Sequence, residues 1–343
     1  MKQKAERVLI FNVNWLGDVL FSTAAIRNIR RNFPGSFIAC IVPSRCYPIL
    51  KGNPHLDEVL IFDERDRHKG LQSKLEFIQL LRRKKFDLAF LLHRSFTRSL
   101  ICRLAGIPQR IGYYTPKRGF LLTHKIKPPR RDSVHRIDYY LHLIEKAGFR
   151  VEDRFPEFFL AEEDAEAVDA FFAKHNLGAE DFVVGINPGG NWQPKRWPLE
   201  RWAELAERLI AERGAKVIIT GSSGDTAKAS HMKQAMRRLP IIACGVFNIR
   251  QSAALFKRLD LFITADTGPL HIANAAGARH IIALFGPTHP AITGPYPEKN
   301  TVILRKEIGC KVPCYVVNCK DNRCMKAISV DEVIEQVKLL RTT

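Results

Sequence analysis

The chain reads as an α/β protein made of two doubly wound parallel sheets, one domain following the other. Three observations predict this. Short apolar runs alternate with amphipathic helical segments, and the whole scheme occurs twice. Glycine-rich or polar turns follow the apolar runs in both halves. Finally, 343 residues exceed what one hydrophobic core ordinarily organises.

In the first half, polar Met1–Arg7 leads into a strand, Arg7–Val13. A helix from Gly17 to Arg31 follows, with Leu20, Ala24, Arg27 and Arg31 at helical spacing. Then come strand Phe37–Val42, a short helix near Tyr47–Leu50, strand Glu58–Phe62 and helix Leu71–Lys84. Strand Asp87–Leu92, helix Ser95–Ala105, a strand near Arg110–Tyr113 and helix Ser133–Ala147 complete it. Such alternation predicts a sheet covered on both faces.

The second half opens with strand Phe182–Asn187 and a helix starting at Pro198, whose Leu199, Trp202, Leu205 and Leu209 form one apolar stripe. Strands Lys216–Thr220, Ile241–Cys244, Leu261–Ala265 and His280–Phe285 alternate with helices near Thr226–Arg238, Ile249–Arg258 and Pro269–Ala276. The polar stretch Asn176–Asp181 is the expected hinge, giving domains 1–175 and 176–329. Segment 330–343 carries a last helix, Val330–Leu340, a candidate to pack back on the first domain. Two such domains facing across a cleft put the carboxyl ends of both sheets at one shared site.

Bulk properties exclude several classes. No apolar run approaches the ~20 residues of a membrane span and no signal peptide is visible, so a cytoplasmic protein is expected. Eight cysteines are then not a disulfide framework. The formal charge of +19 is uneven: 29 Lys+Arg against 12 Asp+Glu over 1–150, but 25 against 23 thereafter. The first half, at +17, therefore suits a large anionic partner: nucleic acid, an anionic membrane surface or a phosphorylated glycolipid. A merely basic solvated surface is the plain alternative.

Four turns carry candidate chemistry. After strand Leu261–Ala265 comes Asp266-Thr267-Gly268-Pro269-Leu270-His271, which aims backbone N–H groups and a helix N-terminus at one spot. This suits the phosphates of a nucleotide; an ordinary capped helix is the alternative. In Asn14–Leu20, Gly17 permits close backbone approach. Asp18 lies in the first helical turn, as a proton acceptor or as a complement to the helix dipole. In Asn187–Pro198, Gly189-Gly190 exposes amides and Lys195 or Arg196 can neutralise a leaving phosphate, unless the segment is a plain surface loop. In Thr220–Asp225, Asp225 suits a ribose hydroxyl or a helix cap.

A fifth cluster, Cys310, Cys314, Cys319 and Cys324, reads as zinc ligands or as free, redox-sensitive thiols; the Cys-x2-Cys pairs usual in zinc sites are missing. No Walker P-loop, Gly-x-Gly-x-x-Gly, Gly-x-Ser-x-Gly, His-Glu-x-x-His or Asp-x-Asp motif occurs. Without that last carboxylate handle, helix dipoles and Lys195 must do the work of a divalent cation on a diphosphate.

Taken in order, these segments resemble glycosyltransferase family 9, the ADP-heptose:lipopolysaccharide heptosyltransferases. Gly17-Asp18-Val19-Leu20 is similar to the family's amino-terminal segment. Asn187–Trp197 resembles its Pro-Gly…Lys-Arg-Trp-Pro stretch. Asp266–His271 and Phe285–Pro290 resemble its Asp-Thr-Gly-x-x-His and Gly-Pro-Thr-x-Pro segments, and Ala105–Gly112 is similar to the heptosyltransferase II type.

The resemblance implies a GT-B fold of two Rossmann-like domains, with the first binding acceptor and the second nucleotide-sugar. It further implies inverting, metal-independent transfer of a heptose from an ADP-sugar to the anionic inner core of lipopolysaccharide, without a cofactor. Carried over by position, Asp18 is the general base and Lys195 holds the diphosphate. Gly189, Gly190, Thr267 and Gly268 meet the phosphates, Asp225 the ribose, and Asp266 and His271 shape the donor pocket. The acceptor side (His93, Arg94, Arg98, Lys117, Arg118) is inferred from the charge asymmetry. Peripheral contact with the cytoplasmic face of the inner membrane is expected, and no nucleic acid. A nucleic-acid or anionic-surface binding module and an epimerase or transferase of the same fold using another nucleotide-sugar are the rival readings.

Overall fold

In the computed structural model, which describes residues 5–130, 132–298 and 300–340, the central apolar runs become parallel strands buried on both faces. The start Met1–Lys4 and residues 341–343 of the last segment lie outside the described residues. The chain divides into two units, the first ending at Phe159 and the second beginning at Leu160.

The first unit runs β1 (Arg7–Phe11), α1 (Leu16–Asn32), β2 (Phe37–Val42), α2 (Tyr47–Leu50), β3 (Glu58–Ile61), α3 (Leu71–Arg83), β4 (Leu88–Leu91), α4 (Phe96–Leu104), β5 (Gln109–Tyr113), β6 (His124–Ile126) and α5 (Arg136–Lys146). Its parallel sheet has the order β3-β2-β1-β4-β5-β6. Ile10 sits opposite Cys40 on one side and Phe90 on the other. Alternate residues then face one way: Leu9, Phe11, Ala39, Ile41, Ala89 and Leu91 share one core.

The second unit runs α6 (Glu162–Lys174), β7 (Val183–Asn187), α7 (Leu199–Arg213), β8 (Lys216–Ile219), α8 (Thr226–Gln234), β9 (Ile241–Ile242), α9 (Ile249–Arg258), β10 (Leu261–Ala265), α10 (Gly268–Ala276), β11 (Ile281–Phe285), α11 (Pro290–Thr293), β12 (Thr301–Arg305), α12 (Arg323–Lys326) and α13 (Val330–Leu340). Its sheet order, β12-β11-β10-β7-β8-β9, is the first unit's scheme again. In each sheet the strand order reverses beside the unit's first strand, between β1 and β4 and between β7 and β10. Ligands of doubly wound sheets bind in the crevice at that place.

Three features differ from the sequence reading. The edge strands β6 and β12 and helix α6 were not anticipated. The division falls at 159/160, not at 175/176, because α6 is anchored in the second unit. There Asp164 forms a buried ion pair with Arg250 of α9 at 2.6 Å, and Phe171 packs on Phe247 with ring centroids 5.0 Å apart. Lastly, α13 lies against α7, with Val330, Val333, Ile334 and Val337 inside the second unit's core, so its apolar stripe is used there. No helix among the described residues is long and apolar enough to cross a membrane.

Candidate functional site

In the first unit the chain leaves β1 through Asn12–Trp15 and enters α1, which places Asp18 in the first helical turn. The Tyr140 hydroxyl of α5 donates to Asp18 Oδ1 at 2.9 Å. Two arginines brace the turn before it. Arg45 donates to the Asn14 carbonyl from Nε (3.1 Å) and Nη2 (2.8 Å). Arg98 donates to the Asn12 carbonyl and to Asn14 Oδ1, and pairs with Glu64 at 3.1 Å.

Of the five residues inferred for the acceptor side, Arg98 and Arg118 have buried guanidiniums. Arg118 donates to the Tyr113 carbonyl (3.0 and 2.6 Å) and to the His93 carbonyl (2.5 Å), tying the β5–β6 turn to the β4–α4 turn. A buried guanidinium must find such acceptors. Every Arg118 nitrogen and both terminal nitrogens of Arg98 bond to the protein, while Arg98 Nε is buried without a partner among the described residues. His93 sits among these cations, and burial, then Arg98, Arg118 and Arg94, push its imidazole down to about 4. It is therefore neutral at physiological pH. Only Arg94 and Lys117 of the five candidates are exposed.

The second unit gathers its candidates at the carboxyl ends of β7, β8, β10 and β11. Asp266, 1% exposed, is the hub: Lys195 Nζ lies 2.7 Å from Oδ2, the Thr288 hydroxyl donates to the same oxygen, and Thr293 adds a third bond at 3.2 Å. His271 Nε2 is 3.4 Å from Oδ1. Burial alone raises the Asp266 pKa, but His271 and the Lys195 charge outweigh it and hold the carboxyl well below its ordinary value. Asp266 is an ionised anchor that aims Lys195.

Gly189 and Gly190 lie where a side chain would crowd its neighbours, whereas a Cβ on Gly268 would meet open space. A Cβ on Gly189 would stand 3.0 Å from Asp225 Oδ2, and one on Gly190 would stand 3.2 Å from Thr267 Cγ2. Gly190 also has φ +154°, which L side chains rarely adopt. Thr267 precedes α10 in extended conformation, with Pro269 in the first turn. Asp225 accepts from Ser222 Oγ at 2.7 Å and pairs with Lys228 at 2.6 Å. Its side chain makes no cap hydrogen bond to α8, the helix that follows, so the expected cap is not formed; the carboxylate closes the turn before α8 and borders Gly189.

Sequence reasoning missed Thr288, Thr293 and Tyr140. Thr288 lies within the Gly-Pro-Thr segment already singled out, so that signal was available; the other two carried none. Cys310 is exposed and Cys314, Cys319 and Cys324 are partly so, all as free thiols. Among the described residues no three His, Cys, Asp or Glu side chains are grouped to hold a metal ion.

Comparison with known proteins agrees with this layout. Residues 74–323 match the family model described as glycosyltransferase family 9 (heptosyltransferase). The lipopolysaccharide heptosyltransferase 2 of Escherichia coli K12 is 28% identical over 306 residues, 87% of either chain. The crystal structure of the glycosyl transferase family 9 from Veillonella parvula DSM 2008 superposes with a TM-score of 0.89 at 26% identity, over 98% of this chain and 97% of that one. E. coli ADP-heptose lps heptosyltransferase II superposes with a TM-score of 0.80 over 97% and 98%; at 24% identity this likeness speaks for the fold alone. The two six-stranded sheets are those of the GT-B fold.

Proposed function

The chain belongs to glycosyltransferase family 9, and from that premise we propose that it moves a heptose from ADP-heptose to the inner core of lipopolysaccharide with inversion at the anomeric carbon. The observation that carries this reading is the pair of partly exposed Lys195 with buried Asp266 beside the amino end of α10, at the switch point of the second sheet. A cation held by a buried carboxylate, next to helix amides, is suited to the charge that develops on a leaving diphosphate.

The reaction is a single displacement. The acceptor hydroxyl oxygen bonds to the anomeric carbon while the bond from that carbon to the phosphate oxygen breaks. Asp18 takes the hydroxyl proton, and ADP leaves with its electron pair toward Lys195 and the Thr267–Gly268 amides. Asp18 contributes about 10²–10⁴ in rate, and Lys195 about 10²–10³. Asp266 and His271 position Lys195 and wall the donor pocket, Gly189 and Gly190 admit the phosphates, and Asp225 borders the ribose.

No divalent ion is required in this scheme. Asp266 is taken up by Lys195 and two threonines, and Asp225 by Lys228 and Ser222. On the acceptor side, exposed Arg94 and Lys117 and neutral His93 meet the anionic saccharide, and the enzyme works peripherally at the cytoplasmic face of the inner membrane. The test is transfer of heptose from ADP-heptose to defined truncated lipopolysaccharides, with and without EDTA. EDTA-resistant transfer supports the reading; release of free sugar without acceptor points to an epimerase-like activity instead.

A further inference from the structure

Residues 88–131 contain ten Lys+Arg and no Asp or Glu. Three of the cations, Arg98, Arg110 and Arg118, are buried; Arg94, Lys117, Lys125 and Lys127 are exposed. Within the same stretch, Phe96, Tyr114 and Phe120 are 43%, 46% and 66% exposed. Phe96 and Phe120 meet with ring centroids 6.2 Å apart, joining the β4–α4 turn to the β5–β6 turn.

This patch is built rather than loose. Buried Arg118 locks the two turns together through the Tyr113 and His93 carbonyls and reaches Ser99 Oγ at 3.3 Å. The Tyr114 ring lies over Gly119 so closely that a Cβ there would stand 2.5 Å from it. Holding two phenylalanines out in water costs free energy, and a rigid support for them calls for a partner that buries them.

We propose that the Phe96–Phe120 ridge, flanked by Tyr114 and rimmed by Arg94 and Lys117, is the surface by which the first unit docks on an anionic lipid bilayer. The rings enter the acyl–headgroup boundary while the cations lie among the phosphates. Charge complementarity selects this occupant, since no carboxylate in the stretch opposes anionic headgroups. Nucleic acid fits less well: the two phenylalanine rings close on one another at 54°, leaving no parallel slot between them for a base. The proposal extends the peripheral membrane association in the reading above and names its surface.

The test is co-sedimentation of the full chain with vesicles, without donor or acceptor. The wild type should bind phosphatidylglycerol–phosphatidylcholine vesicles, release in high salt, and ignore pure phosphatidylcholine. Phe96→Ser/Phe120→Ser should weaken binding about tenfold or more, with an unchanged unfolding temperature, and Lys117→Gln about fivefold. In Phe120→Trp, tryptophan emission should shift to the blue on anionic vesicles, a readout that survives if the double variant misfolds. Four results overturn the proposal: equal binding of neutral vesicles, wild-type binding by a folded double variant, an emission spectrum of Phe120→Trp that anionic vesicles leave unshifted, or displacement of the protein from vesicles by polyuridylate through these same residues. Because no transfer is measured, failure here leaves the glycosyltransferase reading intact, and failure of transfer leaves this surface standing.

Discussion

Asp266→Asn tests whether the buried carboxylate organises the donor site. The substitution keeps size and removes charge from a group 1% exposed that holds Lys195 at 2.7 Å, with Thr288, Thr293 and His271 around it. At an effective dielectric near 20, a contact of this length is worth about 6 kcal/mol of attraction before desolvation. Removing one partner of a buried pair typically costs ~3–5 kcal/mol. Lys195 retains some exposure and can swing toward water, which discounts the loss to about 2–3 kcal/mol, below that range. For a unit of this size that lowers the melting temperature by roughly 5–10 °C.

The Asp266 carboxyl is held well below its ordinary value, so its contribution is present above the unfolded value of 3.8 and is lost only as pH falls through the lower folded value. The deficit of the variant, measured by calorimetry, should therefore stay constant from neutral pH down to about 5. Transfer should slow by about 10² as Lys195 loses its aim. If Asp266→Asn melts within a degree of wild type, or turns over within twofold of it, the argument is refuted.

Further outcomes follow from other residues. Gly190→Ala, forced to φ +154° with its Cβ 3.2 Å from Thr267, should lose about 1–3 kcal/mol and weaken ADP binding roughly tenfold; calorimetry showing unchanged affinity would remove that loop from the donor site. His93, pushed down from 6.5 to about 4, makes the folded state refuse a proton the unfolded chain accepts, so stability falls as pH drops through that window. The ceiling is about 3 kcal/mol, nearer 1–2 because the ring is only partly buried, and His93→Gln should flatten the profile of melting temperature against pH. Tyr140→Phe removes the 2.9 Å bond to Asp18 and should lower kcat/KM about fivefold without changing ADP affinity; a loss of ADP affinity would count against it.

The doubly wound sheets were legible because buried parallel strands such as Leu261–Ala265 are uninterrupted apolar runs. Their edges were not. β6 is His-Lys-Ile, half solvent-facing, and it forms because β5 offers a free ladder rather than because its residues favour it. The charged start of α6 hides the stripe Val168, Phe171 and Phe172, which was available to a closer reading. At the site, Asp266, Lys195 and Gly190 could be singled out since each stands at a strand end. The burial of Arg98 and Arg118 was not legible, because sequence reports charge and not burial. Tyr140 reaches Asp18 across 122 residues, a contact only packing creates.

The central claim divides the labour, with the base on the first unit and the donor phosphates on the second. Calorimetric titration of ADP into wild type, Asp18→Ala and Lys195→Ala, alongside heptose transfer by the same three proteins, tests it most directly. The account predicts that Asp18→Ala binds ADP within about twofold of wild type while transfer falls at least ~10². Lys195→Ala should lose about tenfold or more in ADP affinity as well as rate. Loss of ADP affinity in Asp18→Ala, or wild-type affinity in Lys195→Ala, would contradict it.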